Sequence, residues 1–194
     1  PKGMSFHESQ SLIMENQVGT SRPFMEYLAK MLKDEFSFSG AEYSADNLYK
    51  LVTRVKPSFI RVDADEVTYP LHVIIRYEIE EAIIEGNLKA FDLPELWNSK
   101  MQEYLGITPP NDDQGCMQDM HWPSGYLGYF PSYTNGSIVA SMLMKKAKEK
   151  SPAIDAEIAQ GSFKSLNSYL TENLRGYGCS KNSADLLEAS TGHN

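Results

Sequence analysis

Val67-Thr68-Tyr69-Pro70-Leu71-His72-Val73-Ile74-Ile75-Arg76-Tyr77-Glu78-Ile79-Glu80-Glu81-Ala82-Ile83 is the most regular run in the chain. Val67, Leu71, Ile74, Ile75, Ile79, Ala82 and Ile83 recur at intervals of three and four, over about five turns of 3.6 residues. That spacing predicts an amphipathic helix with an apolar stripe turned inward. Asp63-Ala64-Asp65-Glu66 stands just before it, and acids suit the positive end of a helix dipole. Pro70 lies in the first turn, where its missing N–H costs little, and Gly86 closes the run. His72 reads as a histidine at the edge of the core, with no chemistry assigned.

Working outward, the same pattern repeats. Upstream, Ser58 to Val62 alternates weakly and is at most a short strand. Met4 to Gln17 reads as a helix ended by Gly19 and Thr20. Ser21 caps the next, with Pro23 in its first turn, and Phe24, Leu28, Met31 and Leu32 form its stripe, with Phe36 a further candidate at its end. Ser44 caps a short helix that Pro57 stops. Downstream, a helix opens at Asp92 or Leu93 and runs to about Tyr104. Another runs from about Tyr133 to Lys150, with Ile138, Val139, Met142, Leu143 and Ala147 inward. Further helices begin at Ser151-Pro152, at Gly161-Ser162 and at Ser183. A chain that is helix after helix, with little strand and no linker, is all-α. The expectation is one domain over 1–194.

Composition narrows the function classes. Twenty-six acids against eighteen bases give a net charge of −8 over 194 residues. That argues against nucleic acid or an anionic membrane as partner. No apolar run approaches the ~20 residues of a membrane span. Two cysteines, Cys116 and Cys179, are too few for a disulfide scaffold, so reduced thiols and a cytoplasmic location are expected.

Gly115-Cys116-Met117-Gln118-Asp119-Met120-His121-Trp122, running on to Tyr133, has a different texture. Gly and Pro break regular structure there, and aromatic residues crowd it, so it reads as a shaped loop. Tyr pairs an apolar ring with one hydroxyl, which suits a cleft wall that must also hydrogen-bond. A plain buried aromatic loop fits the same residues. Near the N-terminus, Glu8, Leu12 and Glu15 share one helical face. A carboxylate on a buried face is costly unless paired or metal-bound, whereas a lone Glu ordinarily faces water.

Three segments, taken in order, resemble one family. His7-Glu8-Ser9 matches a His-Glu-Ser motif. Ile60-Arg61-Val62-Asp63-Ala64-Asp65 matches Ile-Arg-x-x-Ala-Asp. Gly115, Gln118, Asp119, His121 and Trp122 match Gly-x-x-Gln-Asp-x-His-Trp. Together they resemble the carboxypeptidase Taq family of metallocarboxypeptidases. The resemblance implies a helical, clam-like fold with a deep groove. It also implies a metal held by two histidines of a His-Glu-x-x-His helix and one downstream Glu. Glu8 matches that third ligand. Zinc is the expected metal, with cobalt as an alternative, and two imidazoles plus a carboxylate leave a position open for water. The four histidines are His7, His72, His121 and His193, and no His-Glu-x-x-His occurs. The chain therefore reads as the C-terminal part of such an enzyme, without its N-terminal half and inactive alone. It is also expected to stop before the family's C-terminus, soon after Thr191-Gly192. The complete family member is expected to be a homodimer acting on peptides with a free C-terminus.

Roles follow from chemistry and from the resemblance together. Amide hydrolysis places negative charge on a carbonyl oxygen, which aimed donors stabilise. His121 with Tyr126, Tyr129 or Tyr133 is expected to supply them. Tyr126 and Tyr129 are favoured because glycines beside them allow close approach. Asp119 either orients His121 or caps a helix, and His7 stands behind Glu8. Arg61 offers a planar fork for a substrate carboxylate, helped by Tyr133. Equally, Arg61 is an ion-pair partner of Asp63, Asp65 or Glu66. The competing function class is a non-catalytic helical domain whose aromatic loop binds a peptide or another chain.

Overall fold

The computed structural model describes residues 3–192 and places nine α-helices and no strand among them. The chain divides into two compact units. One comprises the residues up to Thr53 and those from Asn135 onward; the other is Arg54–Thr134. His193 lies outside the described residues.

The first unit begins with α1 (Met4–Leu12). The expected helix does not stay α to Gln17. It widens into a π-helix over Ile13–Gly19. The i→i+5 turn brings Ile13 and Val18 to the same side, and both are buried. Ser21 caps α2 (Arg22–Phe36) by accepting from the Phe24 N–H, with Pro23 in the first turn as expected. Ser44 likewise caps α3 (Ala45–Val52), which ends before Pro57 is reached. Helices α7 (Ile154–Ile158), α8 (Lys164–Asn173) and α9 (Ser183–Thr191) complete the unit, together with the Asn135–Lys150 part of α6 (Pro131–Lys150). Its core joins Ile13 and Val18 to Ala140, Leu143, Leu170 and Leu186. Ile138, expected inward, is exposed; α6 buries Gly136, Val139, Ala140, Leu143, Met144 and Ala147 instead. The reason is Gly136. A Cβ there would lie 3.0 Å from the Glu8 Cβ and 3.1 Å from the Ser5 carbonyl, so α6 presents its glycine side to α1.

The second unit is built on α4 (Tyr69–Ile84) and α5 (Leu93–Leu105). Ile75 and Ile79 pack with Trp97, Met101, Leu105 and Cys116. Asp65 organises the turn that leads into α4: its carboxylate accepts from the Val67 N–H, the Thr68 N–H and the Thr68 hydroxyl, and also from the Lys56 N–H, each at 2.9 Å. The Ser58–Val62 region forms no strand; Arg61–Asp63 is a single 3₁₀ turn. Val67 and Ile74, read as core from their spacing, are exposed. The buried face of α4 instead carries His72, Val73, Ile75, Arg76, Ile79 and Glu80. A helix built to bury only apolar residues would not turn an imidazole, a guanidinium and a carboxylate inward.

Candidate active site

The loop after α5 grips the second unit through one side chain after another. Gln118 accepts from the Arg61 N–H at 2.8 Å and donates to the Phe59 carbonyl at 2.9 Å, so it ties down both sides of Ile60. Asp119 takes the fork of Arg61, from Nε at 2.9 Å and from the second guanidinium nitrogen at 3.0 Å. Arg76 brings a second guanidinium to within 2.5 Å of the same carboxylate. Trp122 donates its indole N–H to Glu80 at 2.6 Å. Two sequence motifs some sixty residues apart are thus the two sides of one network.

Four formal charges gather here, two positive and two negative, largely screened from solvent. Arg61, Arg76 and Glu80 are each at most 5% exposed. Burial opposes ionisation of Asp119, but the Arg61 hydrogen bonds and the Arg76 charge outweigh it and hold the carboxyl below its ordinary range. For Arg61, burial is outweighed by Asp119, so its affinity for the proton is raised. Burial pulls Arg76 down to about 10, which leaves it charged at neutral pH. Removing one partner from such a set strands the others, so the network acts as a unit. Arg61 also donates to the Tyr69 hydroxyl at 2.5 Å and lies against the Tyr133 ring, 4.9 Å from its centre.

This changes the reading of Arg61. Its expected acid partners were Asp63, Asp65 or Glu66; its partner is Asp119. Its expected role was to meet a substrate carboxylate, but a carboxylate of the protein already fills the fork. Asp119 is neither a helix cap nor a hydrogen-bond partner of His121. Its Oδ1 lies 3.9 Å from the His121 Nδ1, too far for a hydrogen bond but close enough for its charge to be felt.

His121 is partly buried and packs at 4.5 Å on Phe130, which is itself fully buried. Its Nε2 lies 3.1 Å from the Tyr133 hydroxyl. Burial lowers the His121 pKa; Asp119 opposes this, and Arg61 and Arg76 reinforce it. The imidazole is therefore neutral at neutral pH. Tyr129 is the next ring, 5.6 Å from His121 and 5.3 Å from Tyr133. Tyr126 packs edge-on to Tyr129 at 6.3 Å and is 60% exposed. All four rings gather in one place, and Tyr133, rather than the favoured Tyr126 or Tyr129, makes the bond to His121.

Glu8 belongs to the first unit. It is half-buried on α1, where its Oε1 accepts from the Ser11 hydroxyl at 2.9 Å. His7 is exposed and lines a largely apolar cavity of about 550 Å³ with Met4, Phe6, Leu174 and Leu186. Glu15 is exposed, so the predicted acidic face holds only Glu8 away from solvent. Among the described residues no three His, Cys, Asp or Glu side chains come together as a metal site. Glu8 is suited to be one ligand; the described residues do not by themselves fit a bound metal.

Sequence reading missed Arg76 and Glu80. The signal was present: His72, Arg76 and Glu80 recur every four residues through the most apolar helix of the chain. Polar residues at that spacing share one face, and here the face is buried.

The profile of a family described as Carboxypeptidase Taq (M32) metallopeptidase matches residues 2–194. Carboxypeptidase 1 of Bacillus subtilis is 44% identical over 189 residues, which are 97% of this chain and 38% of that protein. Thermostable carboxypeptidase 1 of Pyrococcus furiosus is 35% identical over 189 residues, again 97% of this chain and 38% of that protein. Among solved structures, metallocarboxypeptidase 1 of Trypanosoma cruzi superposes with a TM-score of 0.92 at 39% identity, covering all of this chain and 40% of its own. The chain thus spans about two fifths of the length of the relatives it matches.

Proposed function

This chain belongs to the carboxypeptidase Taq (M32) metallopeptidase family, and we propose that its two units are parts of one catalytic domain of a metal-dependent carboxypeptidase. The substrates are peptides with a free C-terminus. The metal is zinc, or cobalt in its place, and when bound it supplies activated water. Glu8 contributes one carboxylate toward holding it. The compartment is reducing, in keeping with two free thiols, Cys116 and Cys179.

The chemistry assigned to these residues is stabilisation of the developing oxyanion. The observation that carries it is the bond between the His121 Nε2 and the Tyr133 hydroxyl at 3.1 Å, beside the rings of Tyr129 and Tyr126. An imidazole N–H and phenol hydroxyls can each donate a hydrogen bond to an oxygen on which negative charge develops. They sit on a network whose charges cancel, so they are held in place before charge develops. Preorganisation of that kind is where such donors gain their effect. Tyr126 and Tyr129 are the remaining candidate donors. Arg61 acts by fixing Asp119 beside His121, and Tyr133 flanks the substrate while bonded to the imidazole.

In the complete enzyme, His121→Ala should lower kcat by about 10²–10³, the size expected for one oxyanion donor. Bound metal, measured by atomic emission, should stay unchanged. Loss of the metal from this variant would place His121 among the ligands and sink the assignment.

A further inference from the structure

Glu80 is a carboxylate on α4 with 2% exposure, and each of its oxygens takes one N–H from the aromatic loop. Oε1 accepts from the indole of Trp122 at 2.6 Å; Oε2 accepts from the backbone of Gly128 at 2.8 Å. The residues between them, Pro123 to Leu127, are exposed. They are organised by local bonds: Gly125 N–H to the Trp122 carbonyl and Tyr126 N–H to the His121 carbonyl, both at 2.9 Å. Gly128 has φ 73, a left-handed conformation that glycine adopts freely. One carboxylate therefore staples both ends of the exposed segment to α4.

The placement matters because of what lies on either side. Asp119, two residues before His121, is held by Arg76; Trp122, immediately after it, is held by Glu80. Arg76 and Glu80 are one turn apart on the same buried face of α4. His121 is thus bracketed by two anchors on a single helix. Tyr129 follows the second staple point directly. Arg76 is itself fixed between aromatic rings, 4.6 Å from those of Trp97 and Phe130.

We infer that Glu80 is a positioning residue: its carboxylate clamps the Trp122–Gly128 loop so that His121 and Tyr129 face the reacting carbonyl. The inference rests on the function proposed above for those two rings. Glu80 touches no substrate and acts through the loop alone.

Glu80→Gln tests it in the complete enzyme. The amide keeps the shape and one acceptor oxygen, but its NH₂ group meets one of the two loop N–H donors, so one staple opens. The expected result is a fall in kcat of about tenfold to a hundredfold, the penalty for a small misplacement of catalytic groups. KM should change by no more than about threefold, since transition-state rather than ground-state contacts are lost. Bound metal should be unchanged. The Trp122 indole N–H should move upfield in the NMR spectrum, and hydrogen exchange at the Gly128 amide should quicken. Gly128→Ala loosens the same point without touching α4 and should lower kcat in the same direction, so the test survives if Glu80→Gln fails to fold. Faster Gly128 exchange with kcat unaltered would overturn the inference. So would a lower melting temperature with full kcat per folded molecule. If His121→Ala leaves kcat unchanged while Glu80→Gln still shifts the indole and amide signals, the clamp stands as geometry and the catalytic reading above is what fails.

Discussion

At the scale of single residues, Arg61 shows how a side chain chosen for its chemistry is spent on structure. Its fork matches a carboxylate, as its place in the Ile60–Asp65 motif suggested, and the carboxylate is Asp119. A lysine keeps the charge but cannot make two parallel bonds. Arg61→Lys should therefore cost roughly 1–3 kcal/mol of stability by leaving part of a buried carboxylate unpaired. Because Arg61 acts through Asp119, kcat/KM in the complete enzyme should fall to the same extent for a free and an amidated peptide. A loss confined to the free C-terminus would restore Arg61 as the residue that meets it.

At the scale of elements, α4 is the spine of its unit, and its polar stripe is the unusual part. His72 heads that stripe at 1% exposure, and burial, followed by the charges of Arg76 and Arg61, lowers its pKa to about 4, while Asp119 pulls the other way. An unfolded chain takes up this proton near pH 6.5. Between those values the unfolded state binds more protons, so acid favours unfolding. The contribution of His72 is complete above pH 6.5 and is lost as the pH falls toward 4, amounting to about 3 kcal/mol at most. Urea denaturation should give a midpoint that drops between pH 6.5 and 4.5, above the range where most carboxylates titrate. His72→Leu, which keeps the site filled, should flatten that drop. An unchanged slope would mean that other groups carry it.

At the scale of the whole molecule, ligand count decides what these 194 residues can do with a metal. A catalytic zinc needs three protein ligands. Glu8 is the one candidate here, and no triad forms among the described residues. Equilibrium dialysis of the 194-residue chain should show no stoichiometric tight zinc, and a C-terminal residue-release assay should show no turnover. Tight zinc together with hydrolysis by this chain alone would mean that a site assembles in a way the ligand count does not foresee. Large apolar side chains stand exposed on both units, among them Phe36 at 60% and Phe91 at 94%.

The helical class, the caps at Ser21 and Ser44, the prolines in first turns and the loop of aromatics were all legible in the sequence. Each depends on a residue's own backbone preferences and on spacing along a few turns. The three family motifs were legible too, though not the work their residues do. Spacing put Val67 and Ile74 in the core because apolar periodicity cannot tell which side of a helix its neighbours will cover. Tertiary structure put Arg76 and Glu80 there instead, because charges can be buried only where opposite charges and N–H donors from distant segments arrive to meet them. Asp119 reaches Arg61 across 58 residues, and Trp122 reaches Glu80 across 42. The widening of the first helix at Ile13 and the turning of α6 about Gly136 were settled the same way, by close packing between elements. Local chemistry wrote the helices and the loop; pairing of buried charge across the fold decided which of their side chains face inward.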